Sequence, residues 1–506
     1  MPEIIESKYK NNVKQVDTHK YEFRAGEMKI PAVLHVSEDL LPNDETFSEL
    51  ENIGSDERLF SHIAGMSDIH SKKGRKNPTG SVIVTEETFL PQVNDTAPNC
   101  GMRLIKTDLT DKDISPEQID ALFKKLVKVV PTKAYVGTKI PYRIAIDICR
   151  QGIAPLLEHL GSRTKNEIEN TFSSGNLFGD EEITRRDILD AIPKLFIRTG
   201  MYRLGILGAA GNHFLDLMKI GEIKDPQLAT KFGIKEGQYV FLLHTGSGLL
   251  GQYASYMYTP KVKEHASQRL MLKLGTMFFD SQMKKIYERI ACKVKEYKYK
   301  KEFLGYEADG MDGRMFWHAH CAAANFGFAN RSMITHNIDQ ALEEIMGKQV
   351  PLELLYDTTH ISITKENHFQ KDVIVHRNGS VRANGPSRMK EHGIFSATGE
   401  PVFIPSSMST PAYIGAGVDG NESTFYSAPH GTGRRKNPEM DTPENKAQLF
   451  SKMEKSHVKL YNAQSKGVLM QDSAYYKDVE EVINGLEING IIKVAAKMQP
   501  VAVLMY

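Results

Sequence analysis

Beyond residue 200 the sequence breaks into short apolar runs closed by glycine-rich turns, and four of those runs carry a histidine at or just past their edge. LGILGAAGNHFLDL holds His213, YVFLLHTGSGLLG holds His244, LELLYDTTHISI holds His360 and FYSAPHGTGRR holds His430. Short apolar runs bounded by Gly, Asn, Asp or Thr read as strands and turns. A strand end holds a side chain rigidly while leaving it open to a cleft. The pattern therefore demands a sheet-rich half whose histidines stand where strands stop.

Helical patterns interrupt the strands. Residues 115–130 read as a helix: Ser115 as N-cap, Pro116 at the first position, Gln118 completing a capping box, and Ile119, Leu122, Phe123 and Leu126 on one face. A polar helical stretch at approximately 151–200 reads as an insertion, and long helical patterns cover about 262–294 and 314–347. The first 60 residues suggest a hairpin plus loops, and 80–85 a strand. The polar stretch 434–447 suggests a loop, 477–486 a short helix and 491–497 a closing strand. Strands and helices mix without βαβ regularity, which predicts an α+β fold. No internal repeat is visible.

Composition narrows the classes. The 506 residues carry a net charge of +1, four cysteines with no CxxC pair, 41% hydrophobic and 25% charged residues. That composition excludes a disordered chain. No apolar stretch approaches the roughly 18 residues of a membrane span. Dispersed thiols and a polar start, MPEIIESKYKNN, point to the cytoplasm. Near-neutrality argues against coating nucleic acid non-specifically but leaves room for an enzyme that grips ends. The length suggests two to four domains or one large domain with insertions, and a single large domain over 1–506 fits better than a string of independent domains.

One histidine at a strand end is usually a polar edge residue; four together, with the thiol of APNCGMR (Cys100), make a candidate metal site. Neutral imidazoles and a thiolate suit Zn²⁺, Mn²⁺ or a related ion. Cys149, Cys292 and Cys321 read as buried packing residues. In His430-Gly431-Thr432-Gly433-Arg434-Arg435 the glycines let backbone N–H groups approach an anion and the arginines add fork-like donors. An imidazole beside such a cradle can attack phosphorus to give a phosphoramidate. A tight turn with two solvated arginines is the equal alternative. Lys72, Lys73, Arg75 and Lys76 in HSKKGRKNPTG read as a solvated loop or, more sharply, as a phosphate contact. Trp317 reads as core, with His318 and His320 structural.

The stretches SDIHSKKGRKNPTG, NCGMR, GNHFLDL, HTGSG, AANFGFANR, DTTH, VHRNGSVRA, PVFIPSSM, PHGTGR, YYKDV and QPVAV, in this order, resemble the RtcB family of RNA-splicing ligases over about residues 60–503. The resemblance implies an α+β fold around a sheet-lined central cleft, two Mn²⁺ ions and GTP. It also implies joining of RNA 2′,3′-cyclic phosphate or 3′-phosphate ends to 5′-hydroxyl ends. By position it makes His430 the guanylylated residue, Cys100 the bridge between metals, and His213, His244 and His360 further ligands. Asn212 would contact phosphate. Gly431, Thr432 and Gly433 would line the nucleotide site with Pro405, Ser406, Ser407 and Met408, joined by Phe214, Asp216, Arg434 and Tyr476. Asp68 would stand by the RNA ends. Transfer RNA halves or broken RNA, and an archease-type activator, are the implied partners.

The chain departs from the family pattern in places. The family aspartate three residues before the bridging cysteine is here Ala97, with Asp95 the nearest acid to replace it as a ligand. The guanine-pairing glutamate is Asp216, one methylene shorter. A family serine falls at Ala412 and a nucleotide-contacting lysine at Met505. Gly248, Ile361 and Asn378 replace Arg, Asn and Lys. Phosphate-handling groups persist while base-reading groups change, which predicts altered guanine selectivity. Two other readings stay open: a non-ligating relative that binds a nucleotide or RNA end, and a metal phosphoesterase that opens cyclic phosphates. Thiolate and imidazole favour zinc on softness, whereas the resemblance implies manganese.

Overall fold

The computed structural model describes residues 7–94, 97–132, 137–208, 212–262, 265–435, 442–463 and 467–505. Two large sheets organise them. The first runs, in spatial order, through strands Val13–Asp17, Lys20–Phe23, Ala32–Leu34, Ile63–His70, Thr79–Thr85, Lys371–Asn378 and Ile361–His368. The second runs through Glu353–Thr359, Gly101–Lys106, Tyr239–Thr245, Phe214–Ile223, Ile492–Met505, Ala412–Gly417 and Pro401–Ile404, with Lys459–Tyr461 beside Ile492–Met505. Within these sheets the described pairs are antiparallel, except Ala32–Leu34 with Ile63–His70 and Lys459–Tyr461 with Ile492–Met505. Mixed helices and largely antiparallel sheets make the fold α+β.

The two sheets are joined at one residue. Glu353–Thr359 is the edge of the second sheet and Ile361–His368 the edge of the first, so His360 is the step between them. Its N–H donates to the Cys100 carbonyl at 2.9 Å and its carbonyl accepts from Gly379 N–H at 2.8 Å.

Alternation along the second sheet sorts its two faces. Leu215, Leu217, Phe241, Leu243 and Leu504 pack with the Pro116–Val129 helix on one side. Phe214, Met218, Leu242, Met498 and Met505 face the larger core on the other. The Pro116–Val129 helix has the expected capping box, Ser115 and Gln118 each serving the other's backbone N–H.

The longest helix, Met311–Met346, has 36 residues and lies against this core. Its buried Ala322–Ala323–Ala324 and Gly327 let other chain segments approach closely. A Cβ at Gly327 would lie 2.8 Å from the Asn99 carbonyl oxygen. Trp317 on this helix is buried and stacked on Phe89, and His320 Nε2 accepts from Ile363 N–H at 3.2 Å.

Several expectations need adjustment. Residues 151–200 form three short helices, Ala154–Leu160, Arg185–Ala191 and Lys194–Gly200. Their Leu156, Ile188, Phe196 and Ile197 belong to the same core as the long helix. The first 60 residues include a helix, Asp44–Gly54, beyond the hairpin; its burying positions Phe47, Leu50 and Ile53 span too few turns to stand out in sequence. The loop expected at 434–447 gives way to a helix at Pro443–Lys455, where the Thr442 hydroxyl accepts from Asn445 N–H as N-cap; 436–441 lie outside the described residues. Cys149 and Cys321 are buried, but Cys292 is exposed, on the outer face of its helix. No described helix is long and apolar enough to cross a membrane.

Candidate active site

Cys100 immediately precedes strand Gly101–Lys106, His213 immediately precedes Phe214–Ile223, and His244 is the penultimate residue of Tyr239–Thr245. The register places Met102 opposite His244 and His244 opposite Phe214, so three neighbouring strands bring these ends together. Cys100 Sγ lies 3.3 Å from His213 Nε2 and 3.3 Å from His244 Nε2. His360, arriving from the junction between sheets, places its Nε2 2.9 Å from that of His244. The donor atoms of Cys100, His244 and His360 all lie within 4.8 Å of one another.

The backbone sets the rings' orientation. His213 Nδ1 donates to the Leu207 carbonyl at 2.8 Å and His244 Nδ1 to the Asn212 carbonyl at 2.9 Å. With Nδ1 carrying the proton, each Nε2 turns a lone pair toward the thiol. Burial holds His213 down to about 4 and His244 and His360 well below the ordinary histidine range, so the rings are neutral donors. Burial also pushes the Cys100 thiol up to about 11, partly offset by Arg331. Imidazole lone pairs and one thiol around a common volume form a donor set for a divalent cation. Asp95 lies outside the described residues; Ala97 brings no donor.

Beneath Cys100 sits a wholly buried charge network. Arg331, from the long helix, donates to Thr245 O at 2.8 Å, Asn99 Oδ1 at 2.8 Å and Asp357 Oδ1 at 2.8 Å. Arg103 meets the other Asp357 oxygen at 2.7 Å and Glu167 at 2.6 Å. Two guanidiniums and two carboxylates thus balance while Arg331 ties the loop carrying Cys100 to the strand end carrying His244.

His430 follows strand Ser427–Pro429 and stacks its ring on His360, with centroids 4.3 Å apart and planes at 20°. Its Nδ1 faces two acceptors, Asp68 Oδ2 at 2.8 Å and the Gly379 carbonyl at 2.7 Å. Nδ1 therefore carries the proton and Nε2 keeps its lone pair. The His430 side chain is 16% exposed and Asp68 wholly buried, so the ring can reach a substrate and the carboxylate cannot leave it.

The cradle follows directly. Thr432 N–H donates to the Pro405 carbonyl at 3.1 Å, and its hydroxyl to Ser406 Oγ at 3.1 Å. Ser407 is fixed by Thr410, whose hydroxyl accepts from Ser407 N–H at 2.8 Å, and Met408 is buried. Gly433 has φ of 72°, and a Cβ there would stand 2.7 Å from the Asp68 Cα, so only glycine fits. Arg434 pairs with Tyr476 across a β-bridge and lies over its ring at 5.5 Å. The structure thus joins Gly431–Arg434 to Pro405, Ser406 and Tyr476.

Phe214 and Asp216 share the His244 face of the second sheet, and Met505 pairs directly with Phe214. Asp216 Oδ1 is buried without a partner, and burial drives its carboxyl well above the ordinary range. Among the described residues no hydrogen bond links Asp216 to the 405–408 segment. Asn212 contributes the carbonyl that orients His244.

Spacing alone does not single out Gly379, Arg331 or Lys477. Lys477 is buried, and its ammonium donates to the Ser67 carbonyl at 2.6 Å, with those of Ile69 and Leu40 at 3.5 Å. It thereby clamps the strand on both sides of Asp68; burial lowers it to about 8. The YYKDV and AANFGFANR stretches contain Lys477 and Arg331, the nearest a sequence comes to signalling them. Lys76 donates to the carbonyls of Lys300 and Glu302, at 2.5 and 3.0 Å, and is a structural anchor as well as a surface charge.

The model of the family described as tRNA-splicing ligase RtcB matches residues 49–505. The chain belongs to the RtcB family. The protein named tRNA-splicing ligase RtcB from Nanoarchaeum equitans is 27% identical over 97% of this chain and 99% of its own length. That of Thermococcus kodakarensis is 26% identical over 97% and 98%. That of Methanococcus maripaludis is 29% identical over 94% and 95%. The family match covers the whole second sheet, the first sheet from Ile63–His70 onward and every residue of the site just described.

Proposed function

We propose that the protein is an RNA ligase that joins 3′-phosphate or 2′,3′-cyclic phosphate ends to 5′-hydroxyl ends through a nucleotide carried on His430. The observation that carries this reading is the fixed tautomer of His430. Asp68 and Gly379 hold its Nδ1 proton, which leaves the Nε2 lone pair free, and the Gly431–Arg434 cradle follows it directly in the chain. Family membership supports the same reaction class.

Gly431, Thr432, Ser406 and Arg434 would bind the triphosphate of GTP. His430 Nε2 attacks the α-phosphorus and pyrophosphate leaves. An oxygen of an RNA 3′-phosphate then attacks that phosphorus, the N–P bond breaks, and the imidazole recovers its lone pair. The 5′-hydroxyl of the second end displaces GMP and the strand is sealed. A cyclic phosphate end is first hydrolysed to the 3′-phosphate. Asp68 offsets the positive charge that develops on the ring while it carries phosphorus. Cys100, His213, His244 and His360 would hold divalent metal, Mn²⁺ by family. Such metal supplies Lewis-acid neutralisation of phosphate charge.

Guanine selectivity is proposed to be relaxed. The carboxyl of Asp216 is short and buried, and Ala412 and Met505 offer no hydrogen bond. A lost partner for a buried base edge costs about 1–3 kcal/mol.

The test is covalent labelling with each α-³²P-NTP and Mn²⁺. Wild type takes up an acid-labile, alkali-stable label and His430→Ala does not. No label with any nucleotide refutes the ligase reading, and labelling by GTP alone refutes relaxed selectivity. RNA circularisation then separates sealing from phosphoesterase activity.

A further inference from the structure

The chain as a whole carries one surplus positive charge, yet residues 281–301 hold eight basic side chains against two acidic. They form the helix Ser281–Glu296 and the turn after it; Tyr287 packs against Gly275 of the helix His265–Phe278 and against Phe279 just after it, with rings 4.8 Å apart. Six cations of the two helices and the turn after them are exposed and have no ion pair among the described residues: Arg269, Lys273, Lys284, Lys285, Lys295 and, in the turn, Lys301. Lys298, in the turn, donates to Gln268 Oε1 at 3.3 Å, so the basic turn lies against the helix that carries Arg269. Tyr299 stands in the same run, 70% exposed. Lys284 and Lys295 are separated by about 16 Å at the helical rise.

This surface is wired to the reaction centre. After Asp68 the chain runs through Lys72 to Lys76, and Lys76 fastens that loop to Lys300 and Glu302, at the end of the basic run. At the start of the same loop, His70 Nδ1 donates to the Asp68 carbonyl at 2.7 Å.

We propose that the outer face of the two helices, continued by the loop at 72–76, is the track that holds the RNA backbone behind the end being joined. Spaced ammonium and guanidinium groups would neutralise successive phosphates. Tyr299 offers a flat face for a base. The proposal rests on the ligase reading for the identity of the polyanion. A basic helical face also suits an anionic membrane, but attachment through Lys76 to the loop beside Asp68 favours the reaction's own polyanion.

The test compares Lys284→Ala/Lys285→Ala/Lys295→Ala/Lys301→Ala with a control of equal charge change at exposed lysines elsewhere, Lys112→Ala/Lys128→Ala/Lys235→Ala/Lys390→Ala. Binding of a fluorescent 3′-phosphate RNA is measured by anisotropy from 50 to 300 mM salt. The track variant is expected to lose about 3 from the slope of log K against log salt. The control keeps the wild-type slope, and both variants keep wild-type labelling of His430 by GTP, which needs no RNA. Equal slopes in track variant and control overturn the proposal. So does loss of binding to phosphatidylserine vesicles with RNA binding unchanged, which would assign the face to a membrane. Failure of wild type to label defeats the ligase reading alone, because the RNA-binding comparison is read independently.

Discussion

Replacing Asp68 with asparagine separates two jobs that a carboxylate beside a catalytic imidazole can do. Where a carboxylate alone fixes the tautomer, the amide replacement inverts the hydrogen bond, and the rate falls about 10⁴-fold. Here the Gly379 carbonyl, 2.7 Å from the same Nδ1, accepts the same proton and cannot be removed by a side-chain change. The Asp68→Asn substitution therefore leaves the tautomer intact and forfeits only the charge assistance of the Asp68 bond. A hydrogen bond to a charged group contributes about 1.5–3 kcal/mol, which converts to a loss of about 10- to 150-fold at 1.36 kcal/mol per decade. The assay is the single-turnover rate of label transfer from α-³²P-GTP to the protein, at saturating nucleotide and fixed pH, with folding checked by denaturant midpoint. A loss near 10⁴-fold would show that Asp68 alone sets the tautomer. A loss below about threefold would show that the carboxylate contributes no charge to the step. Either refutes the reasoning.

Other perturbations follow from the same geometry. Cys100→Ala removes the donor that faces both His213 and His244; equilibrium dialysis should show loss of tight divalent-metal binding, while far-UV circular dichroism stays native. Asp357→Asn leaves Arg103 and Arg331 with one fewer buried negative charge. It should cost about 3–5 kcal/mol in urea unfolding and weaken metal binding through the Asn99–Cys100 loop. Burial lowers His35 to about 3, His320 to about 3 and His376 to about 4. The unfolded chain binds these protons near pH 6.5 and the folded chain does not. Stability should therefore fall as pH drops from about 6.5 toward 4, by about 1.4 kcal/mol per pH unit per group, read from denaturant midpoints; a flat profile would be inconsistent.

The chemistry-bearing positions are largely legible because strand ends announce themselves: an apolar run, a glycine-rich turn and a histidine are local features. Cys100, His213, His244, His360 and His430 do converge, although 31 to 330 residues separate them along the chain. The parts that orient them are not legible. The carbonyls of Leu207, Asn212 and Gly379 have no side-chain signature. Lys477 acts on Asp68 from more than 400 residues away. Arg331 reads as one polar residue in an alanine-rich helix until the fold places it under Asn99. The helix Pro443–Lys455 hides in a polar stretch, because a mostly polar helix shows weak apolar periodicity. The basic helical pair leaves no trace in the totals, because near-neutral overall charge conceals a local concentration.

Strand Ile492–Met505 lies inside the second sheet, between Phe214–Ile223 and Ala412–Gly417. During synthesis the chain must carry Phe214–Ile223 with an unpaired edge until residues nearly 280 positions later emerge to cover it. An open edge of that kind is a template for pairing with another chain, and distant pairing is slow to form. His213 and Phe214 sit at the end of that waiting strand, so the candidate metal site cannot settle before the sheet closes. Capacity to act on RNA would thus arrive abruptly and late. Cellular yield of active protein should depend more on chaperone supply during translation than on the stability of the finished fold.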